Sequence, residues 1–482
     1  MLIWGAVVYG GASGAIFKAL YVLVGGTVLA VMVARPNFLL MATVILLASE
    51  FRLDFLPYQT GLYVMIGAVF CCSAVAEKIL TRGQPVSGDE KKIIFWALGF
   101  ALVLIVTAGI RGSGLRLLGS YKWGGRPYVL LLFAIAVLFQ SLAVKLTGLQ
   151  CKRMLYGFCL AGLFPSVAAI AIRYGGFDLL TRFVIQSDEL LKSAPGLAGE
   201  VDPRYRLQIA NVGATYMFLL MWLLVYLKGL RGRLLMGGVG VAGLLLTGIS
   251  GHRISLLYGV VLSTAFILLN VRASLFSRLV NGYTALLTLT LSVLVMVSSQ
   301  LPVMYQRSLS WLPFVDVSAN AQIDAAVTSQ WRIMVWKRAF EELPQYLLIG
   351  KGFAFSRDEM FSYVNWTMND YSYVLSVHNY HNGLVHILVD LGLPGILFAL
   401  GFVAVVYKKH YRLLSANWNS PMLCHFHRVM LAGFAAQVVV YLVVGGNVMT
   451  MLTLFFWTIM LMQLARADAA SGSSPAAPLK TV

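Results

Sequence analysis

Three of the seven histidines, His378, His381 and His386, stand within one nine-residue window. They belong to the stretch VHNYHNGLVHILVDLGLPG, which runs from Val377 to Gly395. Imidazole is the side chain best suited to moving protons near neutral pH. After Asn382 the stretch changes from polar and aromatic to apolar, so the histidines sit where a loop enters a membrane-length segment. In a helix His386 follows Asn382 by one turn and Asp390 follows His386 by another, giving a polar face on an otherwise apolar span. That face suits an ion path or the support of a catalytic residue ahead of it; amphipathic anchoring at a membrane interface is the structural alternative. A metal fits less well, because His381 and His386 are five apart and point to different helix faces, with no Glu or Cys at a usual ligand spacing. No nucleophile elbow or Gly-rich phosphate loop occurs in a suitable context.

The elements that must position these residues are membrane helices. Of 482 residues 59% are hydrophobic and only 12% charged, with a mean hydropathy of +0.80, whereas soluble domains carry about a quarter charged residues. Apolar runs of roughly 17–25 residues cross a bilayer as helices, and a barrel would show short alternating strands instead. The fold class is therefore an all-α polytopic membrane protein. Candidate spans are 15–34, 36–50, 61–80, 93–110, 128–147, 154–172, 211–229, 234–249, 255–270, 282–300, 383–407, 428–445 and 449–465, about 12 crossings with 36–50 short enough to be re-entrant.

Net charge +18 is read through the positive-inside rule, not as a nucleic-acid footprint. Lys78, Arg82, Lys91 and Lys92, then Lys152 and Arg153, then Lys228, Arg231 and Arg233, then Arg272 and Arg278, and finally Lys408, Lys409 and Arg412 fall in alternate connections, which places these in the cytoplasm. The histidines then face the outside. The cysteines lie in apolar or cytoplasmic stretches, so no extracytoplasmic disulfide is implied, and the N-terminal apolar run lacks the basic start of a cleavable signal.

The domain reading is 1–300 as N-terminal transmembrane helices with outer loops at 111–127 and 173–210, 301–382 as a large outer loop carrying short helices, 383–466 as C-terminal transmembrane helices, and 467–482 as a disordered tail rich in Ala, Ser, Gly and Pro. Within 301–382, Trp331, Val335 and Arg338 share one helical side ahead of Pro344, which predicts a helix lying against the membrane. Gly350-Lys-Gly352 marks a turn, and Tyr363, Trp366, Tyr371, Tyr373 and Tyr380 suit an interface or stacking on sugars.

Basic residues on the outer side are the exceptions to the charge rule, and they are functional candidates. Arg111, Arg116, Lys122 and Arg126 crowd one outer loop, Arg206 precedes a span, and Arg253 lies in a very short connection. A polyprenyl pyrophosphate at headgroup depth needs such donors, because the guanidinium fork pairs bidentately with phosphate oxygens; bilayer headgroups need them too.

His381-Asn382 followed by nine residues and Gly392-Leu-Pro-Gly395 resembles the His-Asn-x9-Gly-x-x-Gly signature of the O-antigen ligase and polymerase superfamily of bacterial inner-membrane enzymes. The neighbouring pair His378-Asn379 puts Val389 at the glycine position. Arg206 ahead of IANVG resembles the family's arginine at the end of a long outer loop, and Arg253 in SGHR its arginine in a short outer turn, although His252 stands where serine is expected. Lys122 to Arg126 and Trp331-Arg332 are similar to looser family stretches. The resemblance implies a GT-C-like membrane enzyme that moves a glycan from an undecaprenyl-pyrophosphate donor to an acceptor hydroxyl on lipid A core or another glycan, with inversion, at the periplasmic face, without metal or cofactor. It implies His381 as the catalytic group, Arg206, Arg253, Arg126, Lys122 and Arg332 on the pyrophosphate, and Asn382, His386, Asp390, Gly392 and Gly395 in support. O-antigen ligation is the leading reading; polymerisation, protein O-glycosylation and, from another class, lipid-linked glycan or ion-coupled transport are the alternatives. No sequence repeat of the kind found in transporters is evident.

Overall fold

The computed structural model describes residues 35–49, 62–80, 87–115, 120, 124–176, 210–227, 229–250, 252–270, 298–301, 303–310, 315–356, 378, 380–443 and 445–472. Among them no β-strand occurs. In chain order the helices are α1 (Pro36–Ser49), α2 (Leu62–Leu80), α3 (Gly88–Arg111), α4 (Arg126–Ser141), α5 (Gly148–Gly175), α6 (Ala210–Leu224), α7 (Leu230–Ser250), α8 (Arg253–Asn270), α9 (Val303–Leu309), α10 (Ala319–Glu342), α11 (Gly383–Leu413), α12 (Pro421–Val443) and α13 (Val448–Gly472). Among the described residues seven of these, α3, α5, α7, α8, α11, α12 and α13, are long and apolar enough to cross a membrane, and α1, α4, α6 and the Leu62–Ser73 part of α2 are shorter apolar helices. The chain is a polytopic helical membrane protein. The expected spans 15–34 and most of 282–300 lie outside the described residues, and Ser298–Gln300 is a single 3-10 turn.

Helix boundaries follow local chemistry. Ser87 and Glu90 form a capping box that opens α3, and Thr147 and Gln150 form one that opens α5. The span expected over 128–147 stops at Ser141, because the chain turns there toward α5 and the polar backbone of the connection is satisfied from another helix. Gln463 of α13, fully buried, donates to the carbonyls of Ser141 (2.8 Å) and Val144 (3.1 Å) and accepts from the Leu146 amide (3.2 Å). Inside a bilayer such groups have no water to turn to. At the same end of the bundle buried Glu90 accepts from Arg466 at 2.9 Å and pairs with Lys409 at 3.6 Å, tying the start of α3 to α11 and α13.

One expectation is corrected here and one is refined. The last helix continues to Gly472, so residues 467–472 are ordered and not part of a disordered tail; the reason is Asp468, whose carboxylate accepts the amides of Asn419 (3.1 Å) and Ser420 (2.8 Å) at the start of α12. Residues 473–482 lie outside the described residues. In α10, Val335 and Ala339 are buried against Tyr380, Val385 and Val389, with Trp331 packed beside them, whereas Arg338 is exposed and pairs with Glu341 (3.0 Å). Arg338 thus shares the helical side of Trp331 and Val335 by period but not their packing. Pro344 sits in the 3-10 turn Leu343–Gln345 that closes α10, as its ring geometry predicts.

Helix α11 is the axis of the site. It packs on α3 and α12, its first turns meet α10, and α7 and α8 approach through α9 and α12.

Candidate active site

Asn382 is the N-cap of α11: its backbone is extended and its side-chain oxygen accepts from the amides of Leu384 (3.0 Å) and Val385 (3.1 Å). It is therefore not part of a polar helix face with His386 and Asp390, as its spacing suggested. Three turns on, the helix breaks at Gly392, with φ 71° and ψ −171°, a conformation only glycine adopts readily. Pro394 has no N–H to give the Asp390 carbonyl. The loop Leu347–Gly352 repairs the ladder: Lys351 N donates to Val389 O (2.7 Å), Gly352 N to Asp390 O (2.9 Å), and Leu393 N to Leu347 O (2.9 Å). A Cβ on Gly392 would meet the Leu347 carbonyl at 2.9 Å, one on Gly350 the Asp390 carbonyl, and one on Gly395 the Leu391 side chain. The expected turn at Gly350-Lys-Gly352 is thus the brace of the kink. Arg111 holds this brace from α3, donating to the carbonyls of Gly350 (3.0 Å) and Ile349 (3.1 Å).

Behind the N-terminus of α11 lies a buried polar group. Asp390 is fully buried; its Oδ1 is 2.7 Å from His378 Nδ1 and accepts from the Tyr380 hydroxyl at 3.4 Å. His386 Nε2 lies 3.4 Å from Asp390 Oδ2 without hydrogen-bond geometry, and its Nδ1 meets the Tyr441 hydroxyl at 3.1 Å. Tyr380 is 1% exposed, so it is a core ring and not one of the sugar-stacking or interfacial rings it was grouped with. Tyr363, Trp366, Tyr371 and Tyr373 lie outside the described residues.

On the other side of the turn His381 faces a cationic cluster. Its ring stands edge-on to Trp331, centroids 5.4 Å apart. Burial, with the cation of Arg332 beside it, holds its pKa down to about 4. His252, in the turn between α7 and α8, is likewise held at about 4 by burial, by Arg332 and by His381. Arg332 itself is lowered by burial and by the charges of Arg253 and Arg307, and its Nε is buried without a hydrogen-bond partner. Arg253 donates to the Ser310 hydroxyl at 2.9 Å, which fixes the start of α8 against the end of α9. At neutral pH the two imidazoles are neutral and the guanidiniums carry the charge.

Of the residues expected on a pyrophosphate, Arg253 and Arg332 come together with His381. Arg126 opens α4 with an exposed side chain and is not among the groups whose charge shifts His381 or Arg332. Lys122 and Arg206 lie outside the described residues. Sequence reasoning missed Arg307, which is 5% exposed and sits in a short helix without periodicity. It passed over His378, whose signal was its place in a window with His381 and His386. Among the described residues no group of three His, Cys, Asp or Glu is arranged to hold a metal.

Among the described helices, α11 with its break at Gly392 follows a turn that sets His381 beside Arg332. Residues 238–400, about a third of the chain, match the family described as O-Antigen ligase. The matched segment includes Arg253, Arg307, Arg332, His381 and the kink at Gly392 and ends before α12. Comparison with curated proteins gives no match. The family implies a membrane glycan transferase of the ligase or polymerase type, acting on lipid-linked glycans.

Proposed function

We propose that the protein transfers a glycan from a polyprenyl-pyrophosphate donor to an acceptor hydroxyl, with inversion, at the periplasmic face of a bacterial inner membrane, and that the reaction is O-antigen ligation to lipid A core. The observation that carries this is the placement of a neutral His381 beside Arg332 within the group formed with Arg253, Arg307 and His252. In the reaction the acceptor oxygen bonds to the anomeric carbon as that carbon's bond to the pyrophosphate oxygen breaks. The leaving lipid pyrophosphate takes the bonding pair, and His381 takes the hydroxyl proton. Guanidiniums aimed at the departing oxygens stabilise the charge as it develops. A bound pyrophosphate also offsets the pull of Arg332 on His381, making the imidazole a better base once donor is present.

The fold reading extends to a GT-C-like protein of about 12 crossings, with 15–34 and 282–300 supplying those beyond the described helices. Exposed apolar residues on α10, among them Ile323 (61%), Val327 (58%) and Ile333 (60%), support its lying against the outer leaflet. Arg206, Lys122 and Arg126 remain assigned to approach of the anionic donor, and His386, Asp390, Gly392 and Gly395 to holding the turn that bears His381.

The test combines cells and purified protein. A deletion strain should lose glycan-capped lipid A core, leaving bare core and accumulated lipid-linked glycan. With that glycan and core acceptor, purified wild-type protein should transfer in detergent, where no ion gradient exists, and His381→Ala should lose at least about 10²-fold. Capped core unchanged in the deletion strain, or no transfer by wild type with both substrates bound, would overturn the proposal.

A further inference from the structure

The geometry points to His378 as a positioning residue for the transfer, acting through its bond to Asp390 on the turn that carries His381; this rests on the reading of His381 as proton acceptor. The turn is strained and bolted down. His378 has φ 56° and His381 φ 51°, a left-handed conformation that costs about 1–2 kcal/mol per non-glycine residue. Its neighbours hold it: Trp336 Nε1 donates to the Tyr380 carbonyl at 2.7 Å, the Tyr380 hydroxyl reaches Asp390, and Asn382 caps α11. His378 contributes a polar contact as short as that of Trp336, 2.7 Å from Nδ1 to Asp390 Oδ1. With the carboxylate as acceptor, Nδ1 is the ring nitrogen placed to donate.

The anchor is rigid for a reason already given. The carbonyl of Asp390 receives Gly352, and the kink at Gly392 is braced by the Leu347–Gly352 loop. His378 therefore couples the left-handed turn to the most constrained point of α11. His381 is then the one histidine of the three whose ring is turned to the arginines, while His378 and His386 are buried behind it. A misplacement of about 1 Å at a reacting group costs on the order of 10²-fold in rate, so a turn that must hold two positive-φ residues gains from a short buried hydrogen bond at its first residue.

Two substitutions separate the bond from the backbone. His378→Gly relieves the left-handed strain but removes the donor; His378→Asn tolerates the left-handed conformation and keeps a side-chain N–H near the Nδ1 position. Both are assayed in purified full-length protein with the lipid-linked glycan that accumulates in the deletion strain, with inorganic pyrophosphate binding as a separate probe of the cationic cluster. Expected are a 10- to 100-fold loss of kcat for His378→Gly, roughly, with pyrophosphate affinity within about twofold of wild type, and recovery of most of that loss in His378→Asn. Full transfer by His378→Gly overturns the inference while leaving His381 untouched, as does an equal loss in His378→Asn. Should His378→Gly fail to fold, His378→Asn compared with His378→Ala decides: equal transfer by the two sinks it. Loss of transfer by His381→Ala alone bears only on the parent reading.

Discussion

Arg332 stands beside His381 and, with burial, keeps that imidazole neutral, its pKa near 4. The same cation has Arg253 and Arg307 for neighbours and a buried Nε with no hydrogen-bond partner. On the proposed reading, a resting site so charged disfavours protonation of its base, an anionic donor would offset that effect, and binding and proton acceptance would be linked.

That linkage predicts a split in the pH profile. The acid limb of kcat/KM reports the free protein and that of kcat the substrate complex. As pH falls through the pKa of His381 the base is lost, so the kcat/KM limb should lie near pH 4 to 5, well below an ordinary histidine, roughly. With pyrophosphate bound the opposing anion raises the pKa, and the kcat limb should lie higher. Coincident limbs, or a kcat limb at lower pH, would contradict the relationship.

Stability should follow the same groups. His252 and His381 both have folded pKa values depressed to about 4 from 6.5. Below pH 6.5 the unfolded chain takes up protons that the folded one refuses, so stability falls between pH 6.5 and 4 and is flat above. Thermal melting of the detergent-solubilised protein across that window should show the fall, and His252→Asn should make it shallower while leaving the share of His381 in place. An unchanged slope in that variant would refute the assignment.

Arg253→Lys and Arg332→Lys keep the charge but lose the planar fork, so each should weaken inorganic pyrophosphate binding and reduce transfer by about tenfold or more, the scale of one charge-assisted hydrogen bond. Isothermal titration with pyrophosphate measures the first and glycan transfer the second. Wild-type values for both lysine variants would remove the arginines from the donor site.

Much of this was legible in the chain. The apolar runs announce themselves by length, and α3, α5, α11, α12 and α13 each fall on an expected span; the ends differ by several residues, and the starts of α3 and α5 are set by capping boxes and not by the apolar residues. His381, Arg253 and Arg332 were legible as polar exceptions in a family-like pattern, and the structure brings those three together. Asn382 was misplaced because period 3.6 assumes a helix that begins only after it. His378 was hidden by its failure to match the motif's glycine spacing, since its partner, Asp390, is set by the left-handed turn. Arg307 carries no signal of its own: a seven-residue helix in a polar connection has no period to read.

Sidedness rests on the alternation of basic residues and has a direct test. With the five native cysteines replaced, a cysteine at exposed Asn320 should react with an impermeant thiol reagent added to intact spheroplasts, and one at exposed Gly88 only after permeabilisation. The reverse pattern would put the arginine cluster in the cytoplasm and defeat the periplasmic assignment.

The kink offers the sharpest test of how the fold supports the site. Gly392→Ala places a Cβ 2.9 Å from the Leu347 carbonyl at a φ/ψ pair that costs about 1–3 kcal/mol for a non-glycine residue. The helix can relieve this only by straightening, which forfeits the bonds from Lys351 and Gly352 and leaves the Asp390 carbonyl without a donor, because Pro394 cannot supply one. The melting temperature should therefore drop by several degrees, about what 1–3 kcal/mol produces in a chain of this size or somewhat less. Transfer should fall with it even below the melting point, since Asp390 carries the bond to His378. Leu391→Ala, one residue earlier, is the control: Leu391 is buried, so it too lowers the melting temperature, but it leaves the carbonyl bonds in place. Equal transfer by the two variants at matched stability would show that the kink only fills space.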